Sequence, residues 1–267
     1  MSKGLRGRTV LVTGAAGGIG QALIRGLVER NAAPWLHYRS SVDAARTLAE
    51  EVDLGEQRLV QADLRLEEEV VSMFERMDEG DPAGAVSLVV NAGVWATESV
   101  AIREMDFAQW RHTLASNLDS AFLCCREFLR KLPAEVEDPS IVLIGSTSGR
   151  FGEEGHGDYS SSKAGMRGLL LTLKNEIVRR HARGRINLVS PGWVATPMAA
   201  AALEDESVVD RVTSTMALRK VASPEDVASA VLYFLSPDGA GHVTGQELVV
   251  AGGMEGRLLH PAGGAQE

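Results

Sequence analysis

Cysteine, aromatic residues and long apolar runs are all scarce in this 267-residue chain, and each scarcity excludes something. Only two cysteines occur, Cys124 and Cys125, side by side. Adjacent residues on a helix point in different directions, so neither a structural disulfide nor a thiolate metal site is expected. The six histidines (37, 112, 156, 181, 242 and 260) are scattered, none at the helical spacing of a metal-ligand pair, and no metal is expected. No apolar run approaches the roughly 20 residues a membrane-crossing helix needs. Residues 1–9 are basic with no apolar stretch behind them, so no signal peptide and no membrane partner is expected, and the expected compartment is the cytoplasm. An excess of positive charge is also missing. The formal net charge of −9 argues against a nucleic-acid partner, which would require a positive field.

What is present is alternation. Residues 8–12, 34–38, 59–62, 86–90, 141–144, 185–189 and 247–250 read as strands. Helical patterns separate them, at 19–30, 44–52, 67–77, 106–132, 159–181 and 224–235. Strands that are apolar throughout, alternating with helices, predict a parallel sheet covered on both faces. No linker or repeat divides the chain, so one domain over residues 1–267 is expected. Residues 196–216 mix an alanine run with a polar stretch and read as a mobile helical flap; 260–267 read as a frayed tail.

The first strand runs into Thr13-Gly14-Ala15-Ala16-Gly17-Gly18-Ile19-Gly20. Glycines here let the backbone turn sharply and bring a helix N-terminus, with its free N–H groups, close to a pyrophosphate. An acid about 20 residues further on would select NAD through the ribose 2′-hydroxyl. This chain instead has Arg39-Ser40-Ser41, which suits a 2′-phosphate; NADP(H) is therefore expected, with NAD(H) as the alternative.

Three tyrosines make the search for a phenolic acid short. Only Tyr159 has a lysine four residues on, Lys163, and that spacing puts both on one helix face. A nearby ammonium favours phenolate, so Lys163 is expected to lower the tyrosine's pKa.

With these motifs in order, the chain resembles the short-chain dehydrogenase/reductase family along nearly its whole length. The family's Thr-Gly-x-x-x-Gly-x-Gly loop stands at Thr13 to Gly20, with Gly14, Gly18 and Gly20 in place. An adenine-binding acid is matched by Asp63, followed by Leu64, and the Asn-Ala-Gly signature by Asn91, Ala92 and Gly93. Asn117, Ser146, Tyr159 and Lys163 match the catalytic set, and Pro191, Gly192, Val194 and Thr196 the turn that holds the nicotinamide. The resemblance implies a Rossmann-type doubly wound parallel α/β sheet of about seven strands. It also implies that Tyr159 exchanges the proton and Ser146 holds the substrate oxygen. Lys163 binds the nicotinamide ribose as well, and Asn117 holds a relaying water. The family habit further implies a homodimer or homotetramer through the two long helices, with Ser161, Ala164, Gly165 and Gly168 permitting close approach.

Two positions depart from the family's habits: Ala251 stands where an Asp is usual, and Gly17 where NADP-preferring members often carry a base. The substrate signal is thinner. Trp95, Ser148, His156, Trp193 and Met198 are the candidates, lying after strand ends. The overall pattern is most similar to 3-oxoacyl-[acyl-carrier-protein] reductases, which implies an acyl-thioester substrate and an acidic carrier protein docking on Arg126, Arg130, Lys131, Arg179 and Arg180. A small-molecule alcohol, sugar, steroid or cyclic ketone is the alternative, and a silent nucleotide-binding regulator the third reading. Enoyl reduction is disfavoured, because that branch spaces its Tyr and Lys more widely.

Overall fold

A computed structural model describes residues 4–81 and 84–254. The expected tail at 260–267 lies outside the described residues. Seven strands form one parallel sheet in the order β3-β2-β1-β4-β5-β6-β7. They are β1 (Thr9–Val12), β2 (Ala33–Tyr38), β3 (Leu59–Gln61), β4 (Ser87–Val90), β5 (Ser140–Ile144), β6 (Arg185–Pro191) and β7 (Glu247–Val250). This is the expected doubly wound architecture.

Side chains alternate across each strand, so one strand feeds both apolar layers. Leu11 points into a layer with α3 (Glu67–Gly80), α5 (Ser120–Lys131) and α7 (Gly157–Ile177). Its neighbours Val10 and Val12 point into the other, with α1 (Gly18–Glu29), α2 (Val42–Glu51) and α10 (Pro224–Leu235). Helix starts follow local chemistry. Ser223 caps α10 by accepting from the Asp226 N–H at 3.2 Å, while the Asp226 carboxylate accepts the Ser223 N–H at 2.9 Å, with Pro224 in the first turn.

Three sequence expectations change. The single helix over 106–132 is instead α4 (Phe107–Leu114), a π-helical turn (Ala115–Asp119) and α5. The expected helix 159–181 begins earlier and ends earlier, as α7. The flap resolves into two short helices, α8 (Ala200–Leu203) and α9 (Glu206–Thr213), the second capped by Asp205.

The outer faces of α5 and α7 leave a shallow groove lined by Leu118, Phe122, Gly168 and Leu169. Gly165, expected to face a partner, is needed within the chain, since a Cβ there would lie 2.7 Å from Leu118. Gly168 is open. The expected carrier-docking cations are largely engaged. Arg126 pairs with Glu67 and Glu127, Arg130 with Glu127, and Lys131 with Asp78 at 3.0 Å.

Candidate active site

The strand order reverses between β1 and β4, and loops leaving the two strands there diverge to opposite faces. A cavity of about 580 Å³ opens at that point, running from the β2–β3 ends to the loop after β6. Among the sequence-derived candidates, only Gly20, Asn117 and His156 lie off its wall.

The glycine loop is clamped from both sides. The Asn91 carboxamide donates to the carbonyls of Thr13 and Gly14, each at 3.0 Å. The Thr13 hydroxyl accepts the N–H groups of Asn91 and Ala92, at 2.9 and 3.0 Å. Gly14 has φ +64°, where a side chain would be strained. Gly20 permits contact of a different kind: a Cβ there would sit 2.3 Å from the Gly14 carbonyl, so α1 could not approach its own turn. Gly18 faces the loop after β6, and a Cβ would stand 2.7 Å from the Thr196 methyl. No acid occupies the first turn of α1, which keeps its N-terminus favourable for an anion. This cradle fits a dinucleotide pyrophosphate.

At the other end of the cavity, Arg39 and Ser40 are exposed beyond β2. Among the described residues Arg39 makes no ion pair. Asp63 is clasped by Arg65, which the sequence reading had overlooked. The guanidinium Nε donates to both carboxylate oxygens at 2.9 and 3.1 Å, Nη2 also donates to Oδ2, and the Arg65 backbone N–H donates to Oδ1 at 3.1 Å. The Arg65 guanidinium, with the backbone N–H helping against the opposing effect of burial, pulls the carboxyl down to about 2, so Asp63 is a fixed anion at neutral pH.

Tyr159 and Lys163 stand one turn apart on α7, as the spacing predicted, but their electrostatics differ from expectation. Burial pushes the Tyr159 phenol up to about 12, the Ser146 hydroxyl pulling the other way and Glu153 adding to the rise. Lys163 turns to a different partner. Its Nζ sits 5.7 Å from the ring centre and donates to the Ile144 carbonyl at 3.0 Å. Burial brings Lys163 itself down to about 8. A phenol held protonated is suited to giving a proton away. Ser146 follows β5, and its Oγ accepts the Ser148 N–H at 3.1 Å.

Asn117 explains the π-turn. Its side chain is fully buried and hydrogen-bonded at both ends: Oδ1 accepts the Val94 N–H at 2.7 Å, and Nδ2 donates to the Val94 carbonyl and the Ser162 hydroxyl at 3.0 Å each. Gly93 passes between Asn117 and Lys163, where a Cβ would meet Oδ1 at 3.0 Å and Nζ at 3.4 Å. The amide therefore fixes the loop after β4.

The substrate end is aromatic on one side. Trp95 stacks on His156 at 5.1 Å between centroids and meets Trp193 edge-on at 5.8 Å. His156 thus backs the wall and does not line it. Ser148 shares a hydrogen bond of 2.8 Å with Ser160. Met198 lines the cavity from the flap, joined by Glu153 from the loop at 150–157, read from the sequence as a residue that could order polar substrate groups, and by Met254, which had no such reading. Ala251, the departure from the family's usual Asp, is buried against Gly192, where a Cβ would stand 2.9 Å from the alanine's own. A bulkier residue there would displace the turn carrying Trp193 and Val194.

Comparison with known proteins agrees with this geometry. A family model described as enoyl-(acyl carrier protein) reductase matches residues 14–255. An acetoacetyl-CoA reductase of Acinetobacter sp. is 32% identical, the match covering 92% of this chain and 97% of that protein. A cis-4-hydroxycyclohexanecarboxylate dehydrogenase of Sinomonas cyclohexanicum is 34% identical over 95% of this chain and 98% of its own. Among solved structures, a short-chain dehydrogenase/reductase from Brucella melitensis, titled a glucose/ribitol dehydrogenase, superposes with a TM-score of 0.84 at 28% identity. It covers 95% of this chain and 99% of its own.

Proposed function

Because the chain belongs to the short-chain dehydrogenase/reductase family, oxidoreductases acting on CH–OH groups, we propose that it moves a hydride between NADP(H) and a carbonyl/alcohol pair, with Tyr159 as the proton carrier. The observation that carries this reading is the placement of Tyr159, Ser146 and Lys163 together at one end of a dinucleotide-sized cleft. A bound dihydronicotinamide supplies the hydride to the carbonyl carbon. The Ser146 hydroxyl holds the carbonyl oxygen, and the Tyr159 O–H gives that oxygen its proton as it becomes an alkoxide. Lys163, a buried cation with one carbonyl partner, orients the nicotinamide ribose hydroxyls. Val194 and Thr196 fix the carboxamide from the loop after β6. In the reverse direction Tyr159 would accept the alcohol proton as phenolate, the form whose share grows as pH rises.

The unpaired Arg39 guanidinium supports NADP over NAD. Arg39→Ala is expected to raise KM for NADPH about tenfold and leave KM for NADH within about twofold, a difference of about 1.4 kcal/mol. Equal effects on both dinucleotides would refute the assignment.

A 3-oxoacyl thioester is the proposed substrate, on the strength of relatives named for acetoacetyl-CoA and (3R)-3-hydroxyacyl-CoA. A coenzyme A thioester is preferred to a carrier-bound one, since Arg126, Arg130 and Lys131 are already ion-paired. The Trp95–Trp193 wall favours a second reading, a free cyclic ketone whose ring lies against it. NADPH consumption against β-ketoacyl thioesters, cyclic ketones and sugars separates the two. Tyr159→Phe should abolish turnover while dinucleotide affinity stays within about threefold, and appreciable turnover in that variant would sink the mechanism. Assembly into dimers or tetramers through α5 and α7 is part of the same proposal.

A further inference from the structure

His37 has no part in the steps above, yet it is one of the most constrained polar residues near the cleft. It lies on β2, is 2% exposed, and its ring contributes to the cavity wall. Nδ1 accepts the Gly14 N–H at 3.0 Å, and Nε2 faces the Ala62 carbonyl at 3.0 Å. An N–H can only donate and a carbonyl can only accept, so Nδ1 must be bare and Nε2 must carry the hydrogen. Both contacts exist together in one neutral tautomer alone. The His37 backbone adds a third tie, its carbonyl accepting the Ala15 N–H at 2.9 Å.

We infer that His37 is a positioning residue for the dinucleotide, a strut that sets the glycine loop at a fixed distance from the adenine side of the cleft. The inference rests on the dinucleotide reading of the cleft, but not on the choice between NADP and NAD. On one side of the ring, two consecutive loop amides, those of Gly14 and Ala15, end on His37, and residues 16–19 continue along the cavity wall. On the other side, Ala62 precedes Asp63, the proposed adenine partner. Asn91 ties the same loop to β4 through carbonyls, so His37 supplies the opposing tie from β2 through N–H groups. Protonation would place an N–H against the Gly14 N–H. Burial resists that and pushes the imidazole down to about 4, with Arg39 helping and the Ala62 carbonyl and Asp63 opposing. His37 therefore keeps its acceptor throughout the neutral range.

A histidine satisfied only for the sake of the core would lower the melting temperature when replaced and leave dinucleotide affinity alone. Fluorescence titration with NADPH and with NADH, beside thermal melting and kcat at saturating dinucleotide, separates the roles. His37→Phe removes both contacts and is expected to weaken binding at least tenfold, with kcat at saturation within about twofold. His37→Asn puts an amide oxygen where Nδ1 stands and is expected to bind within about threefold of the parent. His37→Gln carries its polar end out toward Ala62, and is expected to bind as weakly as the Phe variant. If His37→Phe does not fold, the Asn–Gln comparison decides alone. Parent-like binding in the Phe or Gln variant overturns the inference, as does binding in the Asn variant as weak as in the others. Failure of the parent protein to bind either dinucleotide would instead overturn the cofactor reading, before any variant is made.

Discussion

Lys163 is a cation held inside the protein by little more than one carbonyl, and burial brings it down to about 8. Between that value and the ordinary lysine pKa, the folded protein has given up a proton that the unfolded chain still holds. Its positive charge, useful for an anionic dinucleotide, is therefore present below about pH 8 and lost above it. Dinucleotide affinity should fall as pH rises from 7 to 9, and Lys163→Met should bind weakly with that slope removed. An unchanged slope in the variant would assign the titration to another group. Cys124 and Cys125 show burial acting on the opposite charge type. Both thiols are pushed up, Cys125 to about 12, so neither is thiolate near neutrality. A thiol-specific disulfide reagent at pH 8 should find almost no reactive group in the native protein and two after denaturation. That Tyr159 and Lys163 share one helix face was legible from spacing, because helical geometry relates residues four apart; reading them as a catalytic pair needed the glycine loop, Ser146 and Asn117 as well. His37 and Arg65 were not, because their partners arrive through strand pairing and loop approach, which no local pattern records.

The π-helical turn between α4 and α5 shows the limit of periodicity at the level of an element. Neither Gly nor Pro interrupts residues 107–131, and apolar positions continue on both sides, so the sequence reads as one helix. The extra residue in the turn brings Asn117 to Val94 and Ser162. Asn117→Ala leaves the Val94 N–H and carbonyl without those partners. It is expected to cost about 1–3 kcal/mol, seen as several degrees in melting temperature, together with reduced turnover. A loss of turnover without destabilisation would mean the amide acts on the chemistry directly. The glycines of α1 separate in the same way. A methyl at Gly20 meets backbone and one at Gly18 meets the Thr196 side chain, so Gly20→Ala should destabilise strongly. Gly18→Ala should mainly raise KM for the dinucleotide. Strand positions and sheet type were legible because buried parallel strands are apolar throughout; the breaks within helices were not.

Across the whole molecule, the outer faces of α5 and α7 keep Phe122 and Leu171 nearly half exposed. Sedimentation should therefore show a dimer or tetramer, and Phe122→Glu combined with Leu171→Glu should shift it toward monomer. A monomeric parent protein would refute the assembly. The sheet carries a separate consequence, for the way the chain is made. β1 precedes the other described strands yet lies inside the sheet, flanked by β2 on one side and β4 on the other. The part formed by β1, β2 and β3 must wait, with the N–H and C=O groups along one edge of β1 unpaired, until residues 87–90 have emerged from the ribosome. At about 5–20 residues per second, that interval lasts several seconds. An uncovered strand edge invites pairing with another nascent chain. The reversal of strand order that opens the cleft thus also leaves one strand edge unpaired until β4 has been made.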